Sequence, residues 1–507
     1  MKQALAVSVL LATVLLVSLA LVRLFSAVSF AEPMHMQTSG AEFESLFVIW
    51  KYTQGMTIYS DRYQPPYNAV VYNWLFYESY GLFTKTVMTA LSLRDAWLPT
   101  VARFWTLFAV ATSAICAYLA FAKISAAHHT ARVLVAGFAL LVAAGPLMGF
   151  WAFTVRPDVW AVAFEIAAAA WFIIKFPNRR WTAIFGAALF AYLAWSFKQS
   201  SVTFLLSVGV FLLIRMAWRE LVAMIVIMAV AFGLTFVIGE PQYINNILFS
   251  GYPLEFTVER GIANVTSFVI KMVPGVMLML AALFYRSRTP GTWAEVWHDD
   301  IKLFCLVAAL VSGSFALATS FQVGSAENYY FAFSFYLTLC GLALMPAVDD
   351  WRKPEIVLCG GGWLLLAGAL AMVLSGRIGI TDLRPNHVNN AAIKNCVDPL
   401  QRPLYVKHPY VSLPWMSDYT TYFVLSYVYE KERRAKRPFV NGGIGGYIER
   451  GDLKTLVLPG DRAPAEYDGA TLSGYKQIPS ACPGYVVMIK KDTNERGHLG
   501  ELSQQPK

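Results

Sequence analysis

The sequence predicts an α-helical polytopic membrane protein with a small C-terminal α/β domain. Three observations carry this expectation. The 507 residues are 57% hydrophobic and only 14% charged, with positive mean hydropathy, and so low a charge content is rare in soluble chains. Roughly eleven apolar runs are long enough to cross a bilayer. From about residue 380 the composition becomes that of an ordinary soluble domain.

The runs lie at about 4–30, 97–121, 131–152, 158–175, 181–197, 200–216, 219–239, 263–285, 301–322, 328–347 and 354–376. With the N-terminus inside, "AKISAAHHTAR", "KFPNRRW", "RMAWRE", "YRSRTPGTW" and "DDWRKPE" become cytoplasmic loops. Each carries Lys or Arg, as the positive-inside rule requires. An odd number of spans then puts the tail outside. The first run is weighed against a cleavable signal peptide, with "SFA" before Glu32. It exceeds the usual length of a signal h-region and holds Arg23 near its outer end, so we read it as a retained span.

Residues 1–379 are thus expected to form the membrane domain, with 31–96 as a large first outer loop. Its segment "YQPPYNAVVYNWLFYESYGLF" is too aromatic for a linker and suits short helices lying along the interface. In the tail, 380–507, "SDYTTYFVLSYVYEKERRAKR" reads as an amphipathic helix. "LKTLVLP" and "GYVVMIKK" read as strands, and "NGGIGGY" as a loop. Cys116, Cys305, Cys340 and Cys359 lie within apolar runs, as small hydrophobes do. Cys396 and Cys482 lie in the tail, in what the topology makes an oxidising compartment, and are expected to form a disulfide. No Cys/His spacing suggests a metal site. The net charge of +9 is scattered and forms no basic stripe with interleaved aromatics, so nucleic acid is not an expected partner.

Sorting the polar residues by side of the membrane locates a site. Glu42, Glu44 and Asp61 of the first loop, Arg156 and Asp158 of "VRPD", and Lys198 and Gln199 of "FKQSS" share the outer face. Glu240 and Tyr243 of "GEPQY" and Glu327, Asn328 and Tyr329 of "GSAENYY" join them. Taken singly, Lys198 snorkels, Arg156 and Asp158 pair two helix ends, and Glu42 caps a helix. Together, five loops deliver carboxylates, cations and amides to one membrane boundary, which predicts a site there. Carboxylates serve as a general base or hold a divalent cation. Arg and Lys suit a phosphate, and an aromatic loop suits a lipid-linked sugar. Nucleotide sugars are cytoplasmic, so an outward site favours a lipid-phosphate donor.

The segment "AEFESLFVIWKYTQGMTIYSD" resembles the acidic motif, amphipathic helix, Gly and Y-x-D element of the GT-C superfamily. The resemblance is to its bacterial galacturonosyl-, mannosyl- and aminoarabinosyl-transferases. Glu42 takes the Glu position, Gly55 the turn and Asp61 the end, while Ala41 stands where that group has Asp. "RPD" (Arg156 to Asp158), "KQ" (Lys198, Gln199) and "GSAENYY" (Gly324 to Tyr330) are similar to further segments of the group, over roughly residues 5–350. The resemblance implies inverting transfer of a sugar from a polyprenyl-phosphate donor to an envelope glycan or glycolipid at a bacterial inner membrane. Glu42 would be the general base, with Glu44 supporting. Arg156, Lys198 and Gln199 would bind the donor phosphate. Asp61, Asp158, Tyr243, Glu327, Asn328 and Tyr329 would bind substrate. Asp158 would either hold a divalent cation, Mg or Mn, or orient Arg156. The alternative is a transporter or flippase of lipid-linked sugars, which favours charges at mid-membrane such as Glu165 and Lys271.

Overall fold

The computed structural model describes residues 2–29, 41–65, 67–125, 129–248, 255–289, 291–322, 325–377, 392–393, 395–407, 427–479 and 482–491. Helices α1 (Lys2–Ser29), α2 (Ala41–Thr53), α3 (Trp74–Ala90), α4 (Leu98–Ile124), α5 (His129–Ala144), α6 (Pro157–Lys175), α7 (Arg180–Phe197) and α8 (Thr203–Ile214) form the first half. There follow α9 (Trp218–Ile238), α10 (Tyr243–Ile247), α11 (Val258–Lys271), α12 (Val273–Arg288), α13 (Thr292–His298), α14 (Asp300–Ser320), α15 (Phe331–Leu344) and α16 (Lys353–Leu374).

Each predicted apolar run coincides with helix, but not every run is a full crossing. Among the described residues α1, α4, α6, α9, α14 and α16 are long and apolar enough to span a membrane. The run at 263–285 is instead a pair, α11 and α12, bent by 81°. Pro274 follows the break and explains it, since it lacks an N–H and disfavours helix in the residue before it. Helix α8 has 12 residues, about 18 Å of helix against the ~30 Å hydrocarbon core. Eleven is therefore a count of apolar runs rather than of complete spans.

Burial separates the inner helices from the lipid-facing ones. Helix α6 is buried along most of its length and packs on α4 and α7. Helix α9 instead leaves Val222, Ile225, Val226, Val230 and Leu234 exposed, as a face toward acyl chains would be. Asp158 and Glu165, both on α6, are consequently at the centre of the helical bundle.

Among the described residues of the first large loop, the local sequence sets the turns and contacts. Gly55 ends α2 at φ +74°, the left-handed C-cap that glycine adopts without strain. A Cβ on Gly81 of α3 would fall 2.4 Å from the Tyr52 ring, so glycine allows α3 to close onto α2. Glu240 accepts the N–H groups of Tyr59 at 2.7 Å and Ile58 at 3.3 Å. Lys51 donates to the Ile58 carbonyl at 3.1 Å and the Ser60 hydroxyl at 3.2 Å. Burial pushes the Lys51 ammonium down to about 8, with Glu240 opposing the shift.

The tail contains β1 (Leu404–Val406), α17 (Tyr427–Arg434), α18 (Gly443–Glu449), β2 (Thr455–Pro459), β3 (Glu466–Tyr467), β4 (Ala470–Thr471), β5 (Tyr475–Ile478) and β6 (Tyr485–Lys490). Its sheet runs β1-β2-β6-β5, with β1 parallel to β2 and the other pairs antiparallel. "NGGIGGY", expected as a loop, is helical: it closes one short 3₁₀ turn and starts α18. Residues 417–426 of the expected amphipathic helix lie outside the described residues.

Tail and membrane part share their cores. Phe43 and Phe47 of α2 pack with Ile393, Val397, Leu404, Val457 and Val487. Tyr67 packs with Tyr405, Tyr429 and Phe439, and its hydroxyl donates to the Val440 carbonyl at 2.6 Å. Arg62 pairs with Glu432 at 3.0 Å. Cys396 and Cys482 are joined, with Cα atoms 5.4 Å apart and a sequence separation of 86. Non-reducing peptide mapping is expected to recover these two peptides crosslinked. Cys482→Ser should lower the stability of the tail by about 2–5 kcal/mol; two free thiols in protein extracted from cells would refute the pairing.

Candidate active site

The segment "RPD" is a helix start: Pro157 opens α6, and Asp158 lies in its first turn, where a carboxylate is favoured. Asp158 then joins two distant segments to its own. Its Oδ1 accepts from Lys198 Nζ at 2.6 Å and from Asn328 Nδ2 at 2.7 Å. Its Oδ2 accepts from Arg156 Nε at 3.2 Å. Lys198 stands where the chain breaks between α7 and α8, and its ammonium lies 5.0 Å from the Tyr329 ring centre, a cation–π distance. Arg156 Nη2 donates to the Tyr72 hydroxyl at 3.3 Å. Burial raises the Tyr72 phenol, with Arg156 opposing, so it stays protonated at neutral pH. Two cations against one carboxylate leave one net positive charge.

A second polar knot adjoins the first through the neighbours Glu327 and Asn328. Glu327 accepts from Lys271 Nζ at 2.6 and 2.5 Å and from the Ser267 hydroxyl. Arg23 is within electrostatic reach of Glu327 and sits 5.1 Å from the Phe150 ring centre. Arg23 and Lys271 are site-proximal residues that sequence reasoning left aside as isolated charges. Lys271 lies within an apolar run in sequence, and only the break after α11 puts it at a helix end. Glu165, the other charge within a run, accepts from the Thr203 N–H at 3.1 Å and the Thr203 hydroxyl at 2.5 Å. From α6 it thereby satisfies the first turn of α8, and it lines one cavity with Asp158, Lys198, Asn328 and Tyr329.

Glu42 and Glu44 differ sharply. Glu42 is 0% exposed. Its Oε1 accepts from Arg103 Nε at 3.1 Å and from the Val155 N–H at 2.9 Å, and its Oε2 from Arg103 Nη2 at 3.1 Å. Arg103 also donates to the Ala27 carbonyl at 2.7 Å. A carboxylate enclosed by a forked guanidinium and a backbone N–H has no surface left for an acceptor hydroxyl. As placed, Glu42 ties α1, α2 and α4 to the stretch of chain that leads to Arg156, a structural role beside the expected one as base. Glu44, two residues on, points to another face of α2. It is partly exposed and acts electrostatically on Tyr72, Tyr77 and Arg156.

Other expected site residues lie outside the Asp158 cluster. Tyr243 is 1% exposed, donates to Asn73 Oδ1 at 3.0 Å and packs edge-on to Tyr59, contacts that support the loop. Asp61 caps its own turn, accepting from the Tyr63 N–H at 2.9 Å and Gln64 Nε2 at 3.1 Å. It lines a separate cavity with Arg62, Asn245 and Arg437. Gln199 donates to the Val71 carbonyl at 2.7 Å, which tethers the loop beside Lys198. Both oxygens of Asp158 are engaged, by Lys198 and Asn328 on one and Arg156 on the other, an arrangement that orients Arg156. Among the described residues no three His, Cys, Asp or Glu side chains are placed to share a metal ion.

The sequence matches no protein-family model and no curated protein sequence. The structure is similar to the crystal structure of ArnT from Cupriavidus metallidurans in the apo state. That similarity has a TM-score of 0.55 at 14% identity and covers 94% of this chain and 97% of that one. ArnT from the same organism bound to undecaprenyl phosphate matches with a TM-score of 0.51 at 12% identity, over 95% of this chain and 98% of that one. At such identities the likeness is one of fold, and it runs the length of both chains: this protein is a multi-pass membrane protein with the fold of ArnT.

Proposed function

We propose that the protein is an inverting glycosyltransferase that moves a sugar from a polyprenyl-phosphate donor to an envelope glycan or glycolipid outside the cytoplasm. The single observation that carries this reading is the Asp158 cluster, a buried site with net positive charge beside a partly exposed carboxylate. The fold it shares with ArnT, one structure of which holds undecaprenyl phosphate, supports the choice of donor. Glu44 would take the proton of the acceptor hydroxyl, whose oxygen attacks the anomeric carbon. The bond from that carbon to the phosphate oxygen breaks, and its electron pair leaves with the polyprenyl phosphate. One displacement inverts the centre. Arg156 and Lys198, held in place by Asp158, would stabilise the phosphate as charge develops on it.

Mass spectrometry of envelope glycolipids from a deletion strain should show a missing sugar on a defined acceptor. With the purified enzyme and a synthetic polyprenyl-phosphate sugar, Lys198→Met should lower turnover about a hundred- to a thousand-fold. An unchanged glycolipid profile together with full Lys198→Met turnover would sink the proposal.

A further inference from the structure

At the far end of α7 from Lys198, 18 residues or about 27 Å of helix away, a cavity of about 430 Å³ opens. The α6–α7 turn, the α8–α9 turn and the start of α14 enclose it. Its lining includes Arg180, Arg215, Arg219, Trp218, Glu220 and Asp300. The mechanism proposed above uses none of these.

Three arginines face two carboxylates, and the pairing between them is incomplete. Arg215 Nε meets Asp300 at 2.8 Å and Nη1 donates to the Trp297 carbonyl at 2.6 Å. Its Nη2 is buried without a hydrogen-bond acceptor among the described residues. Arg180 reaches Asp300 and Glu220 only at 3.8 and 4.0 Å, with 57% of its side chain exposed. Arg219 is exposed at the rim. Helix α9 starts here without a side-chain cap, adding partial positive charge. Trp218 of the lining is exposed, as are Trp181, next to Arg180 in sequence, and Trp297, whose carbonyl accepts from Arg215, as aromatics are at headgroup depth. Loop arginines that merely mark membrane orientation have no need to converge from separate turns on one concavity.

We propose that this cavity binds the phosphate of an anionic phospholipid headgroup. The arginines supply forked donors to the phosphate oxygens, and the tryptophans flank the glycerol and upper acyl region. The lipid would pin the α6–α7 and α8–α9 turns together at the end of the bundle remote from the Asp158 cluster.

The test uses full-length protein in detergent, incubated with phosphatidylglycerol, phosphatidylcholine or inorganic phosphate and read by native mass spectrometry and melting temperature. Arg180→Gln/Arg219→Gln alters only rim side chains and should leave the melting temperature without lipid unchanged. Wild type should retain phosphatidylglycerol in preference to phosphatidylcholine and melt higher with it. The double variant should bind phosphatidylglycerol roughly twenty-five-fold less tightly, at about fivefold per arginine. Equal retention by wild type and variant would overturn the proposal. So would inorganic phosphate raising the melting temperature as much as the lipid, which would make the site one for a free anion. If the double variant fails to fold, Arg219→Gln alone, expected to lose about fivefold, decides the same question.

Discussion

Glu42→Gln is expected to destabilise the protein by about 3–5 kcal/mol, because it leaves Arg103 buried opposite a neutral amide. Arg103 is 1% exposed and Glu42 0%, so water cannot replace the lost charge. The variant should melt markedly lower in detergent and lose transfer as a consequence of lost structure. The pair can be separated from its charge. In Glu42→Leu/Arg103→Met no buried ion is left unpaired, and apolar replacements of buried pairs are often neutral or stabilising. That double variant should recover much of the melting temperature. A Glu42→Gln protein with wild-type melting temperature and no transfer would return the role of base to Glu42.

Glu44→Gln should behave in the opposite way, with an unchanged melting temperature and a turnover lower by about a hundred- to ten-thousand-fold, the range for a lost general base. Glutamine keeps the size of the side chain and its hydrogen bonds but cannot take a proton at neutral pH. The measurement is single-turnover transfer from a synthetic polyprenyl-phosphate sugar, with enzyme in excess over donor. Full activity in Glu44→Gln would move the base to another residue.

The two carboxylates also show where sequence reasoning stops. That residues two apart on a helix face different ways is legible from the chain, and so is a division of roles between Glu42 and Glu44. Which of them meets Arg103 is not, because that partner lies 61 residues away on a helix whose rotation no local pattern fixes. Asp158, Arg156, Lys198 and Asn328 were legible as a set, since each sits at the end of an apolar run on one side of the bilayer. Such ends have few places to go. Tyr243 carries the same positional signal, yet it is a packing residue: end position does not distinguish a side chain pointing into the site from one holding the loop. The bend at Met272 was written in Pro274, but hydropathy averaged over a window passes smoothly across it. Arg23 and Lys271 were passed over because a single charge in an apolar run carries no information about its partner until the run has neighbours.

The order in which the chain is made gives the packing of α2 a further meaning. Ribosomes finish α2 early, yet Phe43 and Phe47 are covered by residues 393–487, which emerge last. Until those residues are made, the apolar face of the segment bearing Glu44 would lack the partners it has in the complete fold. The proposed base would reach its final setting only when the tail closes over it. A chain interrupted before its last hundred or so residues would then be inserted yet idle. Activity would be conferred at the end of biosynthesis, so a half-made enzyme could not consume donor lipid.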